Sequence, residues 1–242
     1  VNILIVWISV CGTQMEAEDY EYKLKLLNST KNRAKERYLF SGKRGCVSCD
    51  VLGEDMKVKG GLLRVNPPIR EPGHGEALWA ALHDGTIDMI ATDHAPHQPD
   101  EKASENIWEC DCGFPGVETQ MPVMLTQVNE GRLTINQYVD WSAVAPSHAW
   151  GCYPNKGVIQ AGTDAENVIV DMRGGCIIDH ADLLSKSIVS AWLGFKTTAS
   201  VDWTMVRGRV VVKEGELVGE QGWGQPVKQR MPAPAPQNLD KT

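Results

Sequence analysis

The chain has 242 residues, 42% of them hydrophobic, and a formal net charge of −7. That length supports one large domain or one and a half small ones. With Lys and Arg scattered, no basic face is expected, which argues against a nucleic-acid partner or an anionic membrane surface. The seven cysteines are an odd number and fit a reducing, cytoplasmic setting better than a disulfide framework.

The apolar run Val1 to Val10 is too short to span a bilayer and lacks a basic flank; its β-branched residues suit a buried strand, with a truncated signal peptide as the other reading. Residues 15–38 are charged and compatible with a helix, and Lys31 to Arg37 reads as a solvated face. Residues 39–62 are Gly-rich and irregular, with a short strand expected at Cys46 to Val51. Pro67 and Pro68 hold Val65 and Asn66 extended.

Ala77, Leu78, Ala81 and Leu82 repeat at helical spacing and predict a helix over Gly75 to His83, ended by Gly85. A buried parallel strand is expected at 87–92, then a long polar loop over 96–116. Further helices are expected at Glu118 to Val128, closed by Gly131, then from Thr134 as cap, and at Ser142 to Trp150. Short strands follow at Lys156–Gly162, Asn167–Asp171, Thr204–Val212 and Glu216–Val218, with Lys213-Glu214-Gly215 as a hairpin turn. The tail from Pro226 is rich in Pro and Gln and is expected to be disordered.

The most informative stretch is Ile90-Ala-Thr-Asp93-His94-Ala-Pro-His97. It puts Asp93 at the carboxyl end of the expected strand, where α/β folds gather their chemistry. A carboxylate there can ligate a metal or accept a proton from metal-bound water. It can equally be a helix cap. Asn66 can be a plain turn residue. His94 reads as structural, His74, His83, His148 and His180 as surface or packing residues, and Trp223 as packing. Cys46-x-x-Cys49 with Cys110-x-Cys112 could form a four-thiolate zinc site, or be ordinary free thiols.

Val65-Asn-Pro-Pro-Ile-Arg70, Asp84-Gly-Thr-Ile-Asp88, Ala91-Thr-Asp-His-Ala-Pro-His97 and Gly113-Phe-Pro-Gly-Val-Glu-Thr119 resemble the dihydroorotase branch of the cyclic amidohydrolases. Asp179-His-Ala-Asp182, Val206-Arg-Gly-Arg-Val210 and Gly222-Trp-Gly224 look equally like allantoinases and hydantoinases. The resemblance runs from about residue 60 to 228. It implies an α/β fold: the C-terminal part of a (β/α)8 TIM-type metal-dependent hydrolase barrel over 63–153, then a β-sandwich part over 154–228. Residues 1–62 would be a diverged N-terminal segment and 229–242 a tail.

The resemblance implies hydrolysis or closure of a cyclic amide by a binuclear zinc centre, and a place in pyrimidine metabolism. Asp93 matches a metal ligand and proton shuttle, His97 the binder of the dihydroorotate carboxylate, Asn66 a ring contact, and Gly113 a backbone contact to substrate. The alternatives are an allantoinase or dihydropyrimidinase, and a non-catalytic homologue serving as a binding or scaffold subunit. A homo-oligomer or a catalytic partner subunit is also implied as possible company.

The family's His-x-His pair, its carboxylated lysine and its two further histidines find no match here, and no His precedes position 74. Met15-Glu-Ala-Glu18, Leu27-Asn-Ser-Thr30 and Cys46–Val51 resemble family segments without their histidines. Three accounts follow: a fragment or mis-joined version of an active enzyme, a non-catalytic homologue, or a hydrolase that pairs Asp93 with Cys ligands. The first is favoured. A partial barrel would also leave apolar strand edges uncovered, which predicts poor solubility or dependence on a partner.

Overall fold

Alternating helical and strand periodicity between residues 74 and 129 is matched by the backbone of the computed structural model. It describes residues 3–6, 38–40, 56–66, 68–69, 73–185, 187 and 189–227. The expected helix over 15–38, apart from a strand at its end, the expected strand at 46–51 and the tail from residue 228 lie outside the described residues.

In chain order the first elements are β1 (Ile3–Val6), β2 (Tyr38–Phe40), α1 (Met56–Lys59), α2 (His74–His83) and β3 (Met89–Ala91). After them come α3 (Val117–Asn129), α4 (Ile135–Val139) and α5 (Ala145–Ala149), with a wider π-helical turn at Asp140–Val144 between the last two. The remaining strands are β4 (Asn167–Asp171), β5 (Ser200–Val206), β6 (Arg209–Lys213) and β7 (Glu216–Leu217). The described residues divide between two compact units, one bounded by Val1–Ser9, Val139–Asp171 and Val201–Thr242, the other by Val10–Tyr138 and Met172–Ser200. None of the helices is long and apolar enough to cross a membrane, among the described residues.

In the second unit β3 pairs in parallel with β2, Tyr38 opposite Met89 and Phe40 opposite Ala91. Met89 and Ile90 point to opposite faces of their strand, yet they are only 2% and 3% exposed. A strand covered on both sides needs an unbroken apolar run, which is what Met89 to Ala91 supplies. The core of this unit also takes Leu82 and Trp79 from α2 and Val123, Met124 and Leu125 from α3, all buried. Each large side chain buried there contributes roughly 1.5–3 kcal/mol.

Helix ends follow the sequence signals. Gly85 and Gly131 take positive φ just past α2 and α3. Thr134 and Gln137 form a reciprocal cap at the start of α4. The Gln137 N–H donates to Thr134 Oγ1 at 3.2 Å, and the Thr134 N–H donates to Gln137 Oε1 at 2.8 Å.

The first unit holds a five-stranded sheet in the order β1-β4-β5-β6-β7. β1 runs antiparallel to β4, Ile3 opposite Asp171, and β5, β6 and β7 form successive antiparallel hairpins. Two sequence expectations are corrected here. Thr204–Val212 is two strands rather than one, because Arg207 (φ 49°) and Gly208 (φ 76°) make a two-residue turn whose twist suits a hairpin. Glu214 and Gly215 make the second such turn, between β6 and β7.

Lys156–Gly162 is not a strand. Gly157 and Gly162 both take positive φ, which breaks an extended run, and the buried Lys156 ammonium turns to Asp164 (2.9 Å) and Glu166. Trp223 packs as expected. Its Nε1 donates to the Val206 carbonyl at 2.8 Å, and the Arg207 and Arg209 guanidinium carbons lie 4.7 Å and 5.0 Å from its ring.

Thr134→Ala removes one half of the reciprocal cap. Urea unfolding should show a loss of about 1 kcal/mol, and Thr134→Ser should recover most of it.

Candidate functional site

The chain leaves β3 at Ala91 and enters the long loop predicted over 96–116, broken only by a 3-10 turn at Asp100–Lys102. Asp93, two residues past the strand, is exposed and adopts φ 46°, a left-handed conformation that Asp tolerates better than most side chains. His94 has the structural role expected of it. Its Nδ1 accepts from the Gly116 N–H (3.1 Å) and the Val117 N–H (3.3 Å), capping α3 where Gly116 has no side chain to do so. Both bonds need an unprotonated Nδ1.

His97 is half-buried. Its Nδ1 lies 3.3 Å from Glu101 Oε2 and 3.6 Å from Asp111 Oδ2. Carboxylates only accept, so that nitrogen carries the proton. The Gln98 N–H also donates to Glu101 Oε2 (2.7 Å), and the Ser187 hydroxyl donates to the His97 carbonyl (2.5 Å).

Gly113 is buried with φ 139°; a Cβ there would stand 2.6 Å from Ala95 Cβ and 3.5 Å from His97 Cδ2. Its N–H donates to the Arg64 carbonyl (3.0 Å), two residues before the exposed Asn66. The fold therefore lays Gly113 against His97 and ties it to the segment that carries Asn66. Asp93 enters the same loop from the strand end.

Sequence reasoning missed Lys102, which is 2% exposed. Its ammonium donates to the carbonyls of Arg64 (2.8 Å), Asp111 (2.7 Å) and Gly113 (2.8 Å). Burial pulls its pKa below the ordinary 10.5, with neighbouring Cys110 and Cys112 acting the other way. It also missed Glu101 and Asp111. Glu101 lies four residues beyond His97, a spacing that would have found it. A lysine inside an acidic loop offers no comparable signal.

Cys110 is a buried free thiol whose Sγ donates to the Lys102 carbonyl (3.4 Å), and Cys112 is exposed. The first of the two expected Cys pairs, Cys46 and Cys49, lies outside the described residues.

The model of the amidohydrolase family matches residues 69–211. The chain belongs to the amidohydrolase family. An L-hydantoinase from Paenarthrobacter aurescens is 35% identical over 184 residues, covering 75% of this chain and 40% of its own length. A dihydroorotase from Acetivibrio thermocellus is 44% identical over 158 residues, covering 65% and 36%. The solved L-hydantoinase (dihydropyrimidinase) from Arthrobacter aurescens superposes with a TM-score of 0.71 at 34% identity, covering 75% of this chain and 41% of that one. This amidohydrolase-family chain thus spans about two fifths of the length of these relatives.

A shared-hydroxide metal pair needs several nitrogen donors at fixed geometry. The six histidines stand at positions 74, 83, 94, 97, 148 and 180, and none forms a His-x-His. His94 uses its Nδ1 on α3. Among the described residues, one group of three potential ligands, His97, Glu101 and Asp111, brings its donor atoms within 4.8 Å of one another. One nitrogen and two carboxylates are too few donors for a binuclear centre, so these residues do not fit one.

Gly113→Ala would force a side chain into a left-handed backbone and against Ala95, and should cost about 1–3 kcal/mol in thermal unfolding. A second expectation concerns acid. Burial holds the His94 imidazole below its ordinary 6.5, only partly offset by Glu118. The unfolded chain therefore takes up the proton first, so the contribution of the neutral ring is full above 6.5 and is lost as pH falls toward the lowered folded value. Tm should fall over that interval, and His94→Asn, which keeps an acceptor but does not titrate, should flatten the decline.

Proposed function

We propose that the protein acts on cyclic amides, binding the ring form and the ring-opened form of a substrate such as dihydroorotate. The observation that carries this reading is the arrangement of His97 and Gly113, inside the family-matched residues, with the Arg64–Asn66 segment just before them. In this reading residues 63–153 are the last part of a (β/α)8 barrel and 154–228 a β-sandwich part. Asp93 holds the position of the ligand and proton acceptor at the strand end. His97 meets the substrate carboxylate, while Asn66 and Gly113 meet the ring. Zinc is the metal this reading calls for, and ring and carboxylate recognition is the part of hydrolysing or closing a cyclic amide that these residues are assigned.

Two other readings each have support. A hydantoinase or dihydropyrimidinase is favoured by the hydantoinase relatives. A scaffold or partner-dependent subunit is favoured by the missing His-x-His.

Calorimetric titration with dihydroorotate and with dihydrouracil, the same ring without a carboxylate, tests the assignment. Dihydroorotate should bind about ten- to a hundredfold tighter, the contribution of one hydrogen bond to a charged group. His97→Asn should abolish that preference. Equal or reversed affinity favours the hydantoinase reading, and no binding of either ring defeats the cyclic-amide assignment. Zinc analysis after metal loading should find far less than two ions per chain.

A further inference from the structure

We infer that Lys102 is a positioning residue for the ligand site, setting the backbone on which the ring contacts sit. This rests on the cyclic-amide reading above. Three carbonyl oxygens, of Arg64, Asp111 and Gly113, converge on one point at 2.7–2.8 Å from Nζ. A water or a neutral amide has two hydrogens to give, whereas an ammonium has three. Only a lysine head satisfies all three acceptors from a single atom, and Lys102 does so at 2% exposure.

Stability alone is a weak reason for such a group. Burying a charge carries a desolvation cost that even good partners often only balance, and apolar replacements of buried ionic groups can be neutral or better. What the ammonium supplies is direction. It fixes the Gly113 carbonyl, and with it the backbone that lies against Ala95 and His97. It also fixes the Arg64 carbonyl, which receives the Gly113 N–H as well. The two segments that carry the proposed ring contacts are thus cross-tied by one side chain.

The surroundings are built for this knot. The Cys110 thiol donates to the Lys102 carbonyl, and the Arg64 guanidinium donates to the Cys110 carbonyl. Gly61 leaves the room: a Cβ there would collide with Cys110 Sγ and come within 2.7 Å of the Lys102 carbonyl. Glu101, on the adjacent residue of the same turn, is the partner of His97.

The test compares the wild-type chain with Lys102→Met and Lys102→Arg, titrating dihydroorotate and dihydrouracil at a temperature where circular dichroism shows each protein folded. Lys102→Met should weaken both ligands by about tenfold or more, because the ring contacts shift, and leave their ratio unchanged, because His97 still reads the carboxylate. Lys102→Arg, which keeps charge and donors, should recover part of the loss. Mapped maleimide labelling should show Cys110 newly reactive in Lys102→Met.

A folded Lys102→Met protein that binds both rings as the wild type does overturns the inference and leaves the functional reading standing. If Lys102→Met does not fold, Lys102→Gln, which retains two donors, takes its place with the same criteria. Wild-type protein that binds neither ring overturns the functional reading and the inference together, so the two failures are distinguishable.

Discussion

One buried cation organises the loop that follows β3. Lys102 gathers three main-chain carbonyls from points 38, 9 and 11 residues away in sequence. Loops of this length lose much conformational freedom when ordered, and backbone groups left unpaired inside a protein are costly. A single donor that satisfies three acceptors addresses both problems at once. The half-buried imidazole, the left-handed glycine and the segment leading to Asn66 take their places around it. The second anchor is His94, which spends its ring nitrogen on the first amides of α3 and thereby fixes the direction in which the chain leaves the strand.

What could be read from the sequence was set by covalent and periodic constraints. β3 was legible because a strand buried on both faces needs consecutive apolar residues, and Met89-Ile90 supplies them. α2 and α3 were legible from their spacing, and α4 from a Thr and a Gln three residues apart. The strand expected at Lys156–Gly162 was misread because Val158 and Ile159 favour extension, while the glycines on either side take conformations that prevent it. The turn at Arg207-Gly208 was hidden inside an apolar run, since nothing in hydrophobicity alone separates one long strand from a hairpin.

The site itself was half legible. Asp93, His97 and Gly113 stood out through their motif, and the structure places Gly113 against His97. Lys102 could not be found this way. A lysine next to glutamate in a polar loop looks solvated, and its burial depends on carbonyls that only the folded chain brings together. Family membership and histidine spacing can be set side by side: residues 69–211 match the amidohydrolase family, while no two of the six histidines form a His-x-His.

The tie between Lys102 and the main chain has an evolutionary consequence. A pocket whose shape depended on a bound ion would collapse with the first ligand lost to mutation. Here the loop after β3 is braced by peptide groups and one side chain, so its shape does not hang on a bound ion. Substitutions elsewhere in such a scaffold can accumulate while this loop keeps the same backbone path.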